Sequence, residues 1–189
     1  MRAAAFFATL LVSGSAFAGD LDLAAGLGLG TSGGWPEDMG GSDGAIPYGS
    51  FRAGYRFEKP LIGPLAVVRE GYAREDQRVL TLLSLGAQGW LDFHDVLPFA
   101  RIAWAHQHEE FLDNAQAEPW GVLFGVGKAI RHRGGLTFAL GADVPFARKK
   151  DLVWFVSGEA WFDWFFADHA PAPRYYVGGT LAIGLDYRL

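Results

Sequence analysis

The stretch RYYVGGTLAIGLDYRL, residues 174–189, decides the fold. Read alternately, Tyr175, Val177, Gly179, Leu181, Ile183, Leu185, Tyr187 and Leu189 make one face. Tyr176, Gly178, Thr180, Ala182, Gly184, Asp186 and Arg188 make the other. The first row is apolar with tyrosines near both ends, and the second is small or polar and carries both charges. A period of two specifies a β-strand, because successive side chains leave the pleat on opposite faces. The usual strand of a globular protein has about five or six residues. One this long has the reach of a tilted strand crossing a bilayer, with lipid on its apolar side and a polar lumen on the other.

A chain that closes on GTLAIGLDYRL, residues 179–189, resembles the small bacterial outer-membrane β-barrel proteins of the eight-stranded type. Members of that group typically end in Phe or Trp; this chain ends in Leu189, with Tyr187 two places earlier. The resemblance implies an all-β, antiparallel up-and-down transmembrane β-barrel with periplasmic termini. It also implies outer-membrane lipid as the surrounding medium and the barrel-assembly machinery as a partner during insertion.

The start of the chain carries an export pattern. Arg2 supplies a positive n-region, residues 3–12 an apolar segment, and Ala16-Phe17-Ala18 a small-x-small cleavage site. The apolar segment is about half the ~20 residues that a spanning helix needs. Residues 1–18 therefore read as a signal peptide, and cleavage near Ala18 leaves residues 19–189 as one barrel domain for the bacterial outer membrane. The chain has no cysteine, and a barrel closed by ladder hydrogen bonds needs no disulfide. With 16 Lys and Arg against 21 Asp and Glu, the charge is the wrong sign for a nucleic-acid partner. The 26 glycines suit turns and close packing in a narrow barrel, and the 15 % aromatic content suits interfacial girdles.

Nine segments carry the alternating pattern: residues 20–30, 48–57, 64–75, 79–90, 98–108, 120–130, 136–146, 152–166 and 174–189. Barrels of this kind have even strand numbers, so eight strands are expected, with ten as the alternative. The longest connection, residues 31–45, is polar and Gly-rich, and residues 131–134 (RHRG) read as a tight turn. Arg69 and Glu70 are adjacent, so a strict pleat sends one of them to lipid; a bulge would turn both inward.

The inward rows assemble a set of charges: Arg52, Arg56, Arg101, Glu159, Asp163, Asp186 and Arg188, with Arg69, Glu70, Arg74 and Gln88 beside them. An eight-stranded interior is just wide enough to be filled by side chains, so these residues are expected to form a structural charge network. The same residues lining an open lumen would make a narrow, porin-like solute channel. At the end of one strand, His106, His108 and Glu110 share a face, two imidazoles and a carboxylate suited to a cation. A rim of solvated polar residues has the same pattern, and no metal or other cofactor is assigned. Lipid-modifying barrels use a nucleophile with a base beside it. Ser50, Ser84 and Ser157 lie on lumen faces with no histidine close in sequence, and no catalytic residue is assigned. A soluble lipocalin-like barrel would turn the apolar rows inward around a ligand. The expected role is structural or surface-exposed, and the residues leave partners and oligomeric state open.

Overall fold

The computed structural model describes residues 18–33, 44–74, 77–126, 130–166 and 174–189. The export segment, apart from Ala18, and most of the long first connection lie outside the described residues. The strands are β1 (Gly19–Gly33), β2 (Ile46–Phe57), β3 (Ile62–Ala73), β4 (Arg78–Trp90), β5 (Leu97–Phe111), β6 (Arg131–Lys149), β7 (Leu152–Phe165) and β8 (Tyr175–Arg188). Each pairs antiparallel with the next, and β8 returns to β1 to close the barrel. Closure removes the free sheet edges that a long amphipathic strand would otherwise expose. Gly19 and Leu189 stand together at one end of the barrel, the terminal end; the other is the distal end.

Register follows the alternation in the sequence. β8 lies along β1 from Asp20↔Arg188 to Gly33↔Tyr175 without a shift, so its apolar row stays outward throughout. Leu27 is 77 % exposed, and Leu29, Leu140 and Leu181 are also open to the outside. In water this surface would be unstable; in a bilayer it is the solvated one. The aromatic side chains Trp104, Phe162, Trp164, Phe166 and Tyr175 gather on the outer wall toward the distal end, with ring contacts between neighbours. Inside the distal half, Tyr48, Leu80, Leu82, Trp161, Phe165 and Tyr176 form an apolar core. The Trp161 ring needs Gly30 opposite it, because a Cβ there would stand 2.7 Å from Trp161 Cη2.

Among the described residues the strands number eight, and residues 120–126 are not part of one. Pro119–Phe124 is a short helix, α2, following α1 (Leu112–Ala117). Its apolar residues satisfy two periods at once. Trp120 and Phe124 alternate with Gly121 and Gly125 as in a strand, but they are also four apart, and their rings stack on one helical face. Pro119 at the first helical position and Gly125 with φ +65° just past the last are helix boundary signals. Residues 131–134 are likewise not a turn but the start of β6, and β5 continues to Phe111. No bulge separates Arg69 from Glu70: β3 and β4 keep one register from Ile62↔Gly89 to Ala73↔Arg78. Arg69 therefore points inward and Glu70 outward, where Thr81 Oγ1 donates to Glu70 Oε2 at 2.9 Å. Arg74 lies beyond the end of β3 and is exposed.

Candidate functional site

Most of the charge in the described barrel wall points into the lumen, held there by the pleat. Nearest the terminal end, Arg56 Nη2 donates to Asp20 Oδ2 and to Asp186 Oδ2, each at 2.7 Å. Deeper in, Arg52 holds Asp22 with Nε and Nη2 at 2.7 and 3.0 Å, and Nη2 also reaches Asp143 at 3.1 Å. Trp90 Nε1 donates to the same Asp143 carboxylate at 3.1 Å. Arg52 lies between the Phe99 and Phe155 rings, 5.4 Å from each centroid, within cation–π range.

Arg101 donates from Nε to Gln88 Oε1 at 3.0 Å, and its Nη2 lies 2.8 Å from Glu159 Oε2. Arg69 binds Asp163 in two-pronged fashion at 2.8 and 3.0 Å, and Thr137 Oγ1 donates to the same carboxylate at 2.7 Å. The Arg69 guanidinium stacks on Trp161 at 4.1 Å. Planar guanidinium forks of this kind combine charge with fixed geometry. At the distal end Glu109 is a hub: it accepts from Arg78 at 2.7 Å, from Arg133, and from the Tyr176 hydroxyl at 3.3 Å. Arg133 also donates to Gln107.

Six of the seven charges expected inside are buried there or nearly so: Arg52, Arg56, Arg101, Glu159, Asp163 and Asp186. Arg188 is a correction. Its side chain is 65 % exposed at the terminal rim, paired with Glu58, because the last residue of β8 already projects past the barrel mouth. The partners Asp22, Asp143 and Arg69 stood on recognisable inward rows. Arg133 and Glu109 were hidden because their segments read as a turn and a loop. Not every lumen atom finds a protein partner: Arg56 Nη1, Arg69 Nε and Asp186 Oδ1 are buried without one among the described residues.

A cavity of about 10 Å³ lies beside Arg52, Val67, Ser157 and Glu159, at the lower limit of room for one water. Two of the three lumen serines bond to other groups: Ser157 Oγ accepts from Arg52 Nη1 at 3.5 Å, and Ser84 Oγ donates to the Val67 carbonyl at 3.4 Å.

The histidines lie elsewhere. His106 and His108 share the outward face of β5, and the register pairs His108 with His132 of β6. His132 Nδ1 and His106 Nε2 are 3.3 Å apart, and a ligand nitrogen from each of the three rings lies within 4.8 Å of the others. Glu110 continues that face, but the group is completed by His132, and Glu110 is outside it.

No family model and no curated protein matches the chain. Solved structures do. Neisserial surface protein A superposes with a TM-score of 0.59 at 12 % identity, over 89 % of this chain and 97 % of that one. Ail, the attachment invasion locus protein of Yersinia pestis, gives 0.53 at 14 % identity, over 90 % and 99 %. Ail in complex with the heparin analogue sucrose octasulfate gives 0.50 at 13 % identity, over the same shares. With its strand number, its closure and its apolar outer wall, this chain has the fold of the small eight-stranded outer-membrane barrels.

Proposed function

We propose that this protein is a structural, surface-exposed component of a bacterial outer membrane and that it conducts no solute. The observation that carries this reading is the filled lumen: five buried arginines paired with carboxylates above and beside an aromatic core, with about 10 Å³ left beside Arg52. A hydrated ion needs a continuous wet path, and moving these arginines aside would break charge pairs in a poorly solvated space. A surface role is supported by the names of two proteins of the same fold, a surface protein and an attachment protein. Export by the residue 1–18 segment, insertion by the barrel-assembly machinery and residence among outer-membrane lipids belong to the same proposal.

Planar-bilayer recording on protein purified from the outer-membrane fraction tests it. Its N-terminal sequence should begin at Gly19, and the bilayers should show no steady single-channel current. Regular, ion-selective steps that change in Glu159→Gln or Asp163→Asn would replace this reading with a narrow channel. A preparation retaining residues 1–18, or absent from the outer membrane, would remove the export part.

A further inference from the structure

We propose that His106, His108 and His132 form a binding site for a borderline divalent cation, Zn²⁺, Ni²⁺ or Cu²⁺, on the outer wall of the barrel's distal rim. The proposal does not depend on whether the lumen conducts.

Imidazole nitrogens bind such ions at about 2.0–2.1 Å, so two ligands of one tetrahedral centre stand roughly 3.4 Å apart. The His132 Nδ1 to His106 Nε2 separation is 3.3 Å, and the full set lies within 4.8 Å. Small side-chain rotations close the remaining gap. The sheet supplies this spacing: His108 and His132 are direct cross-strand partners, and His106 is on the same face two residues earlier. Imidazole is the ligand that these cations share.

The site has one side fixed and one side open. His108 is only 3 % exposed although it lies on the outer wall. The chain leaving α2 crosses its ring at Gly125, where φ is +65° and a Cβ would overlap the imidazole. Glycine is therefore needed twice over, for the backbone and for the approach. His132, by contrast, is exposed, which leaves a face open to ions, water or a fourth ligand.

His106 lies two residues, about 7 Å along an antiparallel strand, beyond Trp104 of the distal aromatic group. Glu70, Thr81, His108 and His132 form one outward row across β3, β4, β5 and β6. Glu70, two strands from His108 in that row, and Glu110, two residues beyond His108 on β5, put carboxylates on the same outer face, the sign that favours a cation.

Calorimetric titration of ZnCl₂ and CuCl₂ into the detergent-folded protein, made without a polyhistidine tag, tests the site. One ion should bind per barrel. His106→Ala and His132→Ala should each weaken binding at least tenfold, while His94→Asn at the terminal end leaves it unchanged. Electron paramagnetic resonance of the Cu²⁺ complex should show three coordinated imidazole nitrogens, and two in His132→Ala. Heat-modifiable migration checks that each variant is folded, and the exposed His132 keeps the test decisive if His108 variants fail to fold. Absence of saturable binding below millimolar metal, or binding indifferent to His132→Ala, would overturn the proposal and leave a hydrogen-bonded imidazole cluster.

Discussion

Two ion pairs of the same chemistry stand at opposite extremes of this molecule. Arg69 and Asp163 meet in the lumen with side chains 1 % and 5 % exposed. Arg188 and Glu58 meet at the terminal rim, 65 % and 40 % exposed. The distances alone do not separate them, but their surroundings do. The lumen pair has lost its water and is held by a two-pronged contact, by Thr137 and by the Trp161 ring. At the rim both side chains keep access to water and gain little by meeting. The value of a charge in this barrel is therefore set by which face of the pleat it occupies and how far it sits from the mouth.

The largest effect is expected where removal strands a buried partner. Asp163→Ala leaves the Arg69 guanidinium charged and closed off from water, at a cost of about 3–5 kcal/mol. Urea unfolding in lipid vesicles should show that loss. The double variant Arg69→Met with Asp163→Leu should recover most of it, because apolar residues of similar size abolish the desolvation cost along with the attraction. If the double variant were as unstable as Asp163→Ala, the pair itself would be the source of stability, and a stranded charge would not explain the loss.

How far this was legible in the sequence depends on range. The pleat is a local rule, so alternation placed Arg52, Arg101, Glu159 and Asp163 on inward faces without knowledge of the fold. Pairing is non-local: it depends on how strands that are not neighbours in the sheet are staggered. Asp186 meets Arg56, Glu159 meets Arg101 and Asp163 meets Arg69, and no spacing along the chain gives those three choices. The distal end was harder still. The RHRG stretch looks like a turn by composition, yet Arg133 and His132 are strand residues, one aimed into the lumen and one away from it. Reading that stretch as a turn concealed the Glu109 hub and the third histidine together. The helix at Pro119–Phe124 escaped notice because glycines between large apolar residues suit either period.

The Glu109 hub should fall between the two ion pairs. It is 3 % exposed, but the arginines it holds differ in their access to water, from Arg133 at 2 % to Arg78 at 11 % and Arg131 at 36 %. When Glu109→Gln removes the charge, Arg131 turns to solvent and Arg133 keeps Gln107 as an acceptor. A loss of about 1–3 kcal/mol is expected, typical of a hydrogen bond to a charged group whose partners are partly relieved. A loss matching Asp163→Ala would mean that the distal mouth is as dry as the middle of the lumen.

The smallest effect is expected from Arg188→Ala. Its partner Glu58 is itself half open to water and is no more stranded without Arg188 than any surface carboxylate. The backbone there is held independently, since Arg188 N–H donates to the Asp151 carbonyl at 2.8 Å whatever the side chain. The urea midpoint of Arg188→Ala in vesicles should coincide with that of the parent protein, and raising the salt concentration should not separate them, because screening acts on an interaction already near zero. A clear drop in the midpoint that high salt abolished would show instead that the rim charges act together in closing β8 onto β1. Exposure would then no longer be a sufficient guide to what an ion pair contributes in this barrel.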